Sequence, residues 1–119
     1  MMVMDEGDQR VAVERIDEQT RYEIRVEGLS TGFSLYRDRE YRDRVNQRIF
    51  YHTVVDGAFA GHGLGSNLVE SALSDTRSEG MRVVPVCPFI AAYLKSHHDF
   101  DDIVDPVQPE IVTWLESQL

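Results

Sequence analysis

The stretch His52 to Ser66, "HTVVDGAFAGHGLGS", limits what this chain can fold into more than any other. A strand-like apolar run enters a turn with glycines at Gly61, Gly63 and Gly65, and an apolar pattern of helical spacing sets in from Leu64. Alternate glycines give up both helix and strand stability, so the segment must gain from peptide groups left unshielded. Strand, bare turn and helix in that order aim free N–H groups and the positive end of a helix at one spot. That is where an anion, and a phosphate above all, is held.

The elements on either side predict one sheet-and-helix unit. Val11 to Ile16 and Arg21 to Gly28 alternate apolar with polar residues about the turn-like "DEQT" and read as a hairpin. Thr31 to Asp38 follows as a strand, and Arg48 to Asp56, apolar on both faces, reads as a strand buried in mid-sheet. Four strands are therefore expected before the glycines. Leu64, Leu68, Val69, Ala72, Leu73 and Thr76 keep the helical period up to a stop at Glu79-Gly80. Met81 to Cys87 is a further β-branched strand, in which Pro85 cannot donate a ladder hydrogen bond and belongs at an edge, a bulge or a gap between strands. Pro88 and Pro109 each open a helix, where a missing N–H matters least, and the last helix is expected to cover the sheet as a tail.

Composition narrows the function classes. A chain of 119 residues fits a single domain over 1–119, with a core expected over 11–104 and a helical tail over 105–119. A formal net charge of −9 argues against a nucleic-acid partner, which needs clustered cations. The arginines of "YRDREYRDRVNQR", Tyr36 to Arg48, alternate with acids and read as a solvated loop. With one cysteine, Cys87, an intrachain disulfide and a multi-cysteine zinc site are both excluded. No apolar run approaches the roughly 18 residues of a membrane span, and "MMVMDEGD" lacks the basic and apolar parts of a signal peptide, so no membrane partner and a cytoplasmic location are expected. His97 and His98 beside Asp99 suit the negative end of a helix; adjacent positions do not converge on a metal, and none is expected.

Two phosphate-binding signatures fail on inspection. A Walker loop ends in Gly-Lys-Ser/Thr, whereas this turn ends Gly65-Ser66 without a lysine. A dinucleotide fingerprint needs G-x-G-x-x-G and a later acidic ribose ligand, and neither is present. "HTVVDGAFAGHGLGSNLVESAL" followed by "VVPVCPFIAAYLKSH" instead resembles the GNAT superfamily of acyl-CoA N-acyltransferases, in particular its short YjdJ-type branch. The resemblance spans about Arg21 to Val104 and implies a minimal α/β fold with a mixed sheet, splayed at its centre to admit the pantetheine arm of acetyl-CoA. It aligns Gly63 and Gly65 with the last two positions of the Q/R-x-x-G-x-G/A motif and puts Ala60 where a Gln or Arg is usual. The resemblance thus implies a donor site made of Gly61, His62, Gly63, Leu64, Gly65 and Ser66 around the diphosphate, with the backbone of Thr53, Val54 and Val55 along the arm.

Amine acylation also requires an uncharged amine, a stabilised oxyanion and a proton for the departing thiolate. A lysine-like amine is neutral in roughly one molecule in 2,500 at pH 7, so a base of moderate pKa helps. His52 is the candidate; on a regular strand it shares a face with Phe50 and Val54, and a core histidine bonded to a backbone carbonyl is the competing role. Tyr93 aligns with the helix tyrosine that many GNAT enzymes use as general acid, against a plain packing role. Cys87 reads as either an acyl relay, if His52 lies near enough to activate it, or a small buried hydrophobe. The expected activity is transfer of acetyl from acetyl-CoA to a primary amine by direct attack, a cationic acceptor being favoured by the acidic surface. The alternative is a non-catalytic acyl-CoA-binding or protein-interaction module. Oligomeric state is left open by the sequence.

Overall fold

The computed structural model describes the backbone of residues 2–6, 9–57 and 63–119, with side-chain surroundings from Arg10 onward. Six strands lie side by side in chain order. Strands β1 (Met2–Glu6), β2 (Gln9–Ile16), β3 (Arg21–Val26), β4 (Leu29–Arg39) and β5 (Gln47–Val55) pair antiparallel in turn. Helix α1 (Leu64–Ser78) then carries the chain back, so that β6 (Arg82–Pro85) runs parallel to β5. Helices α2 (Pro88–Ser96) and α3 (Pro109–Gln118) complete the fold, each with proline in its first turn. This is the mixed α/β architecture expected. Five strands rather than four precede the glycines: "MVMDE" has no apolar alternation to announce it, and its place is set by backbone pairing with β2 from Met2↔Val13 to Glu6↔Gln9.

The two faces of the sheet are covered unequally. Leu64, Leu68, Val69, Ala72 and Leu73 of α1 are buried together with Val11, Ile24, Phe50 and Val83 of the sheet and Ile90 of α2. On the other face, Ile111 and Leu115 of α3 pack on Ile49 and Val84, flanked by Tyr51, Val86 and Trp114. Phe33, Leu35, His52 and Val54 belong to neither apolar cluster. The expectation that β5 is buried along its whole length therefore holds only for Gln47–Phe50; beyond that its residues alternate between half-buried and exposed, because α3 covers only the near end of the strand.

The arginine-rich segment also departs from expectation. Tyr36 to Arg39 continue β4 and Gln47 to Arg48 begin β5, leaving only residues 40–46 as connection. Tyr36 and Arg48 are buried. The Arg48 guanidinium donates from Nε and Nη2 to the two carboxylate oxygens of Asp38 at 2.8 and 3.0 Å, and from Nη1 to the Tyr22 hydroxyl at 2.6 Å. Tyr22 in turn donates to Asp75 of α1 at 2.7 Å, and Arg15 of β2 donates to the same carboxylate at 2.8 Å. A charge alternation that reads as solvated is thus paired across four strands and a helix, which periodicity cannot reveal.

Burial raises the phenols of Tyr22 and Tyr36 above the ordinary tyrosine value near 10, against the opposing pull of Arg48. The native state therefore keeps these protons where the unfolded chain releases them. Stability contributed by the buried phenols is intact below about pH 10 and is lost as the pH rises toward their native values. Guanidinium melts at about pH 8 and about pH 11 are expected to show a lower midpoint at the higher pH, with part of the difference removed in Tyr36→Phe and the remainder carried by the more deeply buried Tyr22.

Candidate active site

Strands β5 and β6 part company at the centre of the sheet. Their pairing runs from Gln47↔Arg82 to Phe50↔Pro85, and the Cys87 N–H still donates to the Phe50 carbonyl at 2.8 Å. Pro85 has no N–H to continue the ladder, and Pro88 turns the chain into α2, so His52 to Val55 pair with β4 alone. The splay expected from the sequence is present. At its edge the Asp56 N–H donates to Thr31 of β4 at 2.7 Å, and the Val54 carbonyl oxygen lies 2.7 Å from where a Cβ on Gly32 of β4 would sit. Both groups point away from the opening; by strand alternation, the peptide groups of Thr53 and Val55 point into it. Unpaired edge groups of this kind receive an extended, amide-bearing chain as a strand would.

Helix α1 begins beside this opening. Gly63 is its N-cap with φ 73°, a left-handed conformation natural to glycine, and no side chain caps the helix. The first intrahelical bond runs from Asn67 N–H to the Gly63 carbonyl at 3.0 Å, so the N–H groups of Leu64, Gly65 and Ser66 precede the ladder, and no acidic residue stands in that turn. Leu64 is buried, Ser66 is exposed, and a Cβ on Gly65 would meet the Phe89 ring of α2 at 2.6 Å. Gly65 is thus bare because an aromatic ring seats against it. Gly61 and His62 lie outside the described residues.

His52 and Cys87 are not brought together. A register shift sets Leu35 against His52 but Tyr36 against Phe50, so Tyr51 is an extra residue on β5. The bulge turns His52 to the face opposite Phe50, where it is exposed and its ring lies 6.1 Å from that of Phe33. The expected face shared with Phe50 and the core-histidine role are both corrected by this one residue. Cys87 is buried on the α1 side, with Sγ donating to Thr53 Oγ1 at 3.2 Å, and Thr53 Oγ1 lies 2.9 Å from Ser34 Oγ. This Ser34–Thr53–Cys87 chain has no sequence signal, since it depends on cross-strand register.

Tyr93 stands on the side of α2 that also carries Phe89 and His97, at i,i+4 spacing. Its ring stacks on that of His97 at 4.0 Å with planes 2° apart, and His97 Nδ1 contacts the Tyr93 carbonyl at 2.9 Å, the helix-end role expected of that histidine. Partial burial, reinforced by the charges of Glu70 and Asp99, raises the phenol above its ordinary value, so it holds its proton throughout the neutral range. His98 contacts Asp101 at 3.0 Å. Among the described residues no group of three or more side chains is placed to hold a metal, and no helix is long and apolar enough to cross a membrane.

Comparison with known proteins agrees with this geometry. The family model for GCN5-related N-acetyl-transferase matches residues 21–103. None of the curated proteins matches the sequence. The solution structure of a GCN5-like protein from Staphylococcus aureus is similar with a TM-score of 0.58 and 17% identity, over 82% of this chain and 91% of that one. A ribosomal-protein-alanine N-acetyltransferase from Brucella melitensis biovar Abortus 2308 gives a TM-score of 0.50 and 15% identity, over 83% of this chain and 59% of that one. At such identities these structures bear on the fold.

Proposed function

From the premise that the chain belongs to the GCN5-related N-acetyl-transferase family, we propose that it transfers an acetyl group from acetyl-CoA to a primary amine by direct attack, as a single domain of the short YjdJ-type branch. The observation that carries this reading is the parting of β5 from β6 next to the uncapped start of α1. The N–H groups of Leu64, Gly65 and Ser66, with Gly61, His62 and Gly63 before them, would hold the diphosphate. The peptide groups of Thr53 and Val55 would bind the arm as an added strand does.

In this reading His52, exposed on the open face of β5, takes a proton from the incoming ammonium group, directly or through water, and Tyr93 returns one to the departing thiolate. Direct attack is supported over a Cys87 acyl intermediate because Thr53, and not an imidazole, is the hydrogen-bond partner of the thiol. Coenzyme A titrated into the protein is expected to release heat and shift the amide signals of residues 63–66, and acetyl-CoA with a panel of primary amines to release free thiol. Absence of both binding signals would overturn the donor site. Binding without thiol release on any amine would leave a non-catalytic acyl-CoA module, and a stable acetyl adduct on Cys87 in the intact mass would overturn direct attack.

A further inference from the structure

The face of the sheet that carries His52 is the side from which the opening is not covered by α1 and α2, and its charge differs from that of the molecule as a whole. His52, Leu35 and Arg21 form one cross-strand row, His52 opposite Leu35 and Leu35 opposite Arg21. At about 5 Å per strand the backbones of His52 and Arg21 stand about 10 Å apart. The Phe33 ring spans the gap, 6.1 Å from the His52 ring and 5.4 Å from the Arg21 guanidinium carbon.

Beyond this row the face is cationic. Arg21 and Arg25 share a single carboxylate, Glu23, whose side chain is only 3% exposed. Arg37, two residues past Leu35 on the same face, donates to the Thr20 hydroxyl at 2.8 Å and pairs with no carboxylate among the described residues. Its Nε, like that of Arg21, is buried without a hydrogen-bond partner. Around this row, three guanidinium groups thus stand against two carboxylates among the described residues, Glu23 and Glu14 opposite it, while Arg39 further along β4 is paired with Glu110, in a chain whose net charge is −9. For a ligand in contact, this local excess outweighs the distant acids, because charges more than about 8 Å away are largely screened at physiological ionic strength.

We propose that the acceptor carries a carboxylate within about 10 Å of its amine, held by Arg21 across the Phe33 ring and by Arg37 on the other side of Leu35, while the amine meets His52. The single surplus positive charge matches one carboxylate, and a guanidinium is the side chain shaped to bind it. The inference rests on the proposed acetyl transfer for the role of the amine, and it reverses the cationic acceptor that net charge alone favours.

The test compares γ-aminobutyrate with γ-aminobutyramide, which differ only in the carboxylate, as acceptors of acetyl from acetyl-CoA. The acid is expected to show a kcat/KM about fivefold to tenfold higher, mostly in KM, with Arg37→Gln bringing the ratio close to one and Arg37→Lys keeping part of it. Equal use of the two acceptors, or a ratio untouched by Arg37→Gln, would overturn the proposal. If neither amine is acetylated, the transfer reading is decided by the amine panel and the binding face is judged separately, by adding each compound to the CoA-saturated protein and following the amide signals of Phe33 and His52. Shifts with the acid but not the amide sustain the carboxylate site; shifts with neither, or with both alike, overturn it.

Discussion

Replacing Tyr93 by phenylalanine is expected to lower kcat on the order of a hundredfold while changing affinity for coenzyme A by no more than about twofold. The substitution isolates one oxygen. Phenylalanine keeps the ring that stacks on His97 and packs against the core, so what is lost is the O–H alone. That O–H is protonated at neutral pH, because burial and the nearby charges of Glu70 and Asp99 raise it. A thiol of ordinary pKa near 8.5 leaves as a thiolate that such a phenol protonates without first having to gain a proton itself. Steady-state thiol release and calorimetry on the same preparation check both halves. A parallel fall in kcat, affinity and melting temperature would instead assign the tyrosine to packing.

Arg48→Met is expected to destabilise the fold by about 2–4 kcal/mol, lowering the melting temperature by about 10 °C. Methionine keeps much of the apolar stem but leaves the Tyr22 hydroxyl and the Asp38 and Asp75 carboxylates without their shared cation. The side chain of Arg48 is 4% exposed, whereas Asp38 is 36% and Asp75 33% exposed, so water partly takes over the carboxylates and the loss stays below that of a fully buried broken pair. Adding Asp38→Asn to Arg48→Met is expected to recover part of the stability, since it removes an uncompensated charge. Equal midpoints for wild type and Arg48→Met in a denaturant titration would mean the network contributes nothing net.

Features set by local chemistry were legible in the sequence. The helical period from Leu64 to Thr76 marks the residues that α1 buries, because a helix face repeats at a fixed spacing whatever it packs on. The two prolines that begin α2 and α3, the glycine at the start of α1, Gly63, and the interruption at Pro85 were legible for the same reason: each is a property of one residue's backbone. What depends on a neighbouring strand was not. Tyr51 is an ordinary strand residue until β4 skips it, yet that one bulge decides that His52 and Cys87 face opposite ways. Arg48 and Asp38 look like solvated charges until β4 and β5 lie side by side, and β1 is visible only as a set of backbone pairs. The candidate site accordingly divides in two. Its helix start could be read from residue types, while its cross-strand side, including Ser34, Phe33 and Arg37, required the register.

The seating of Phe89 against Gly65 has a mechanical consequence. It locks the first turn of one helix to the first turn of the other, so the element that would grip the donor and the element that carries the phenol move as one body. In the proposed reaction, where Tyr93 stands is then decided during folding rather than on encounter with a ligand, and a bulkier residue at position 65 would be felt one helix away from where it was placed.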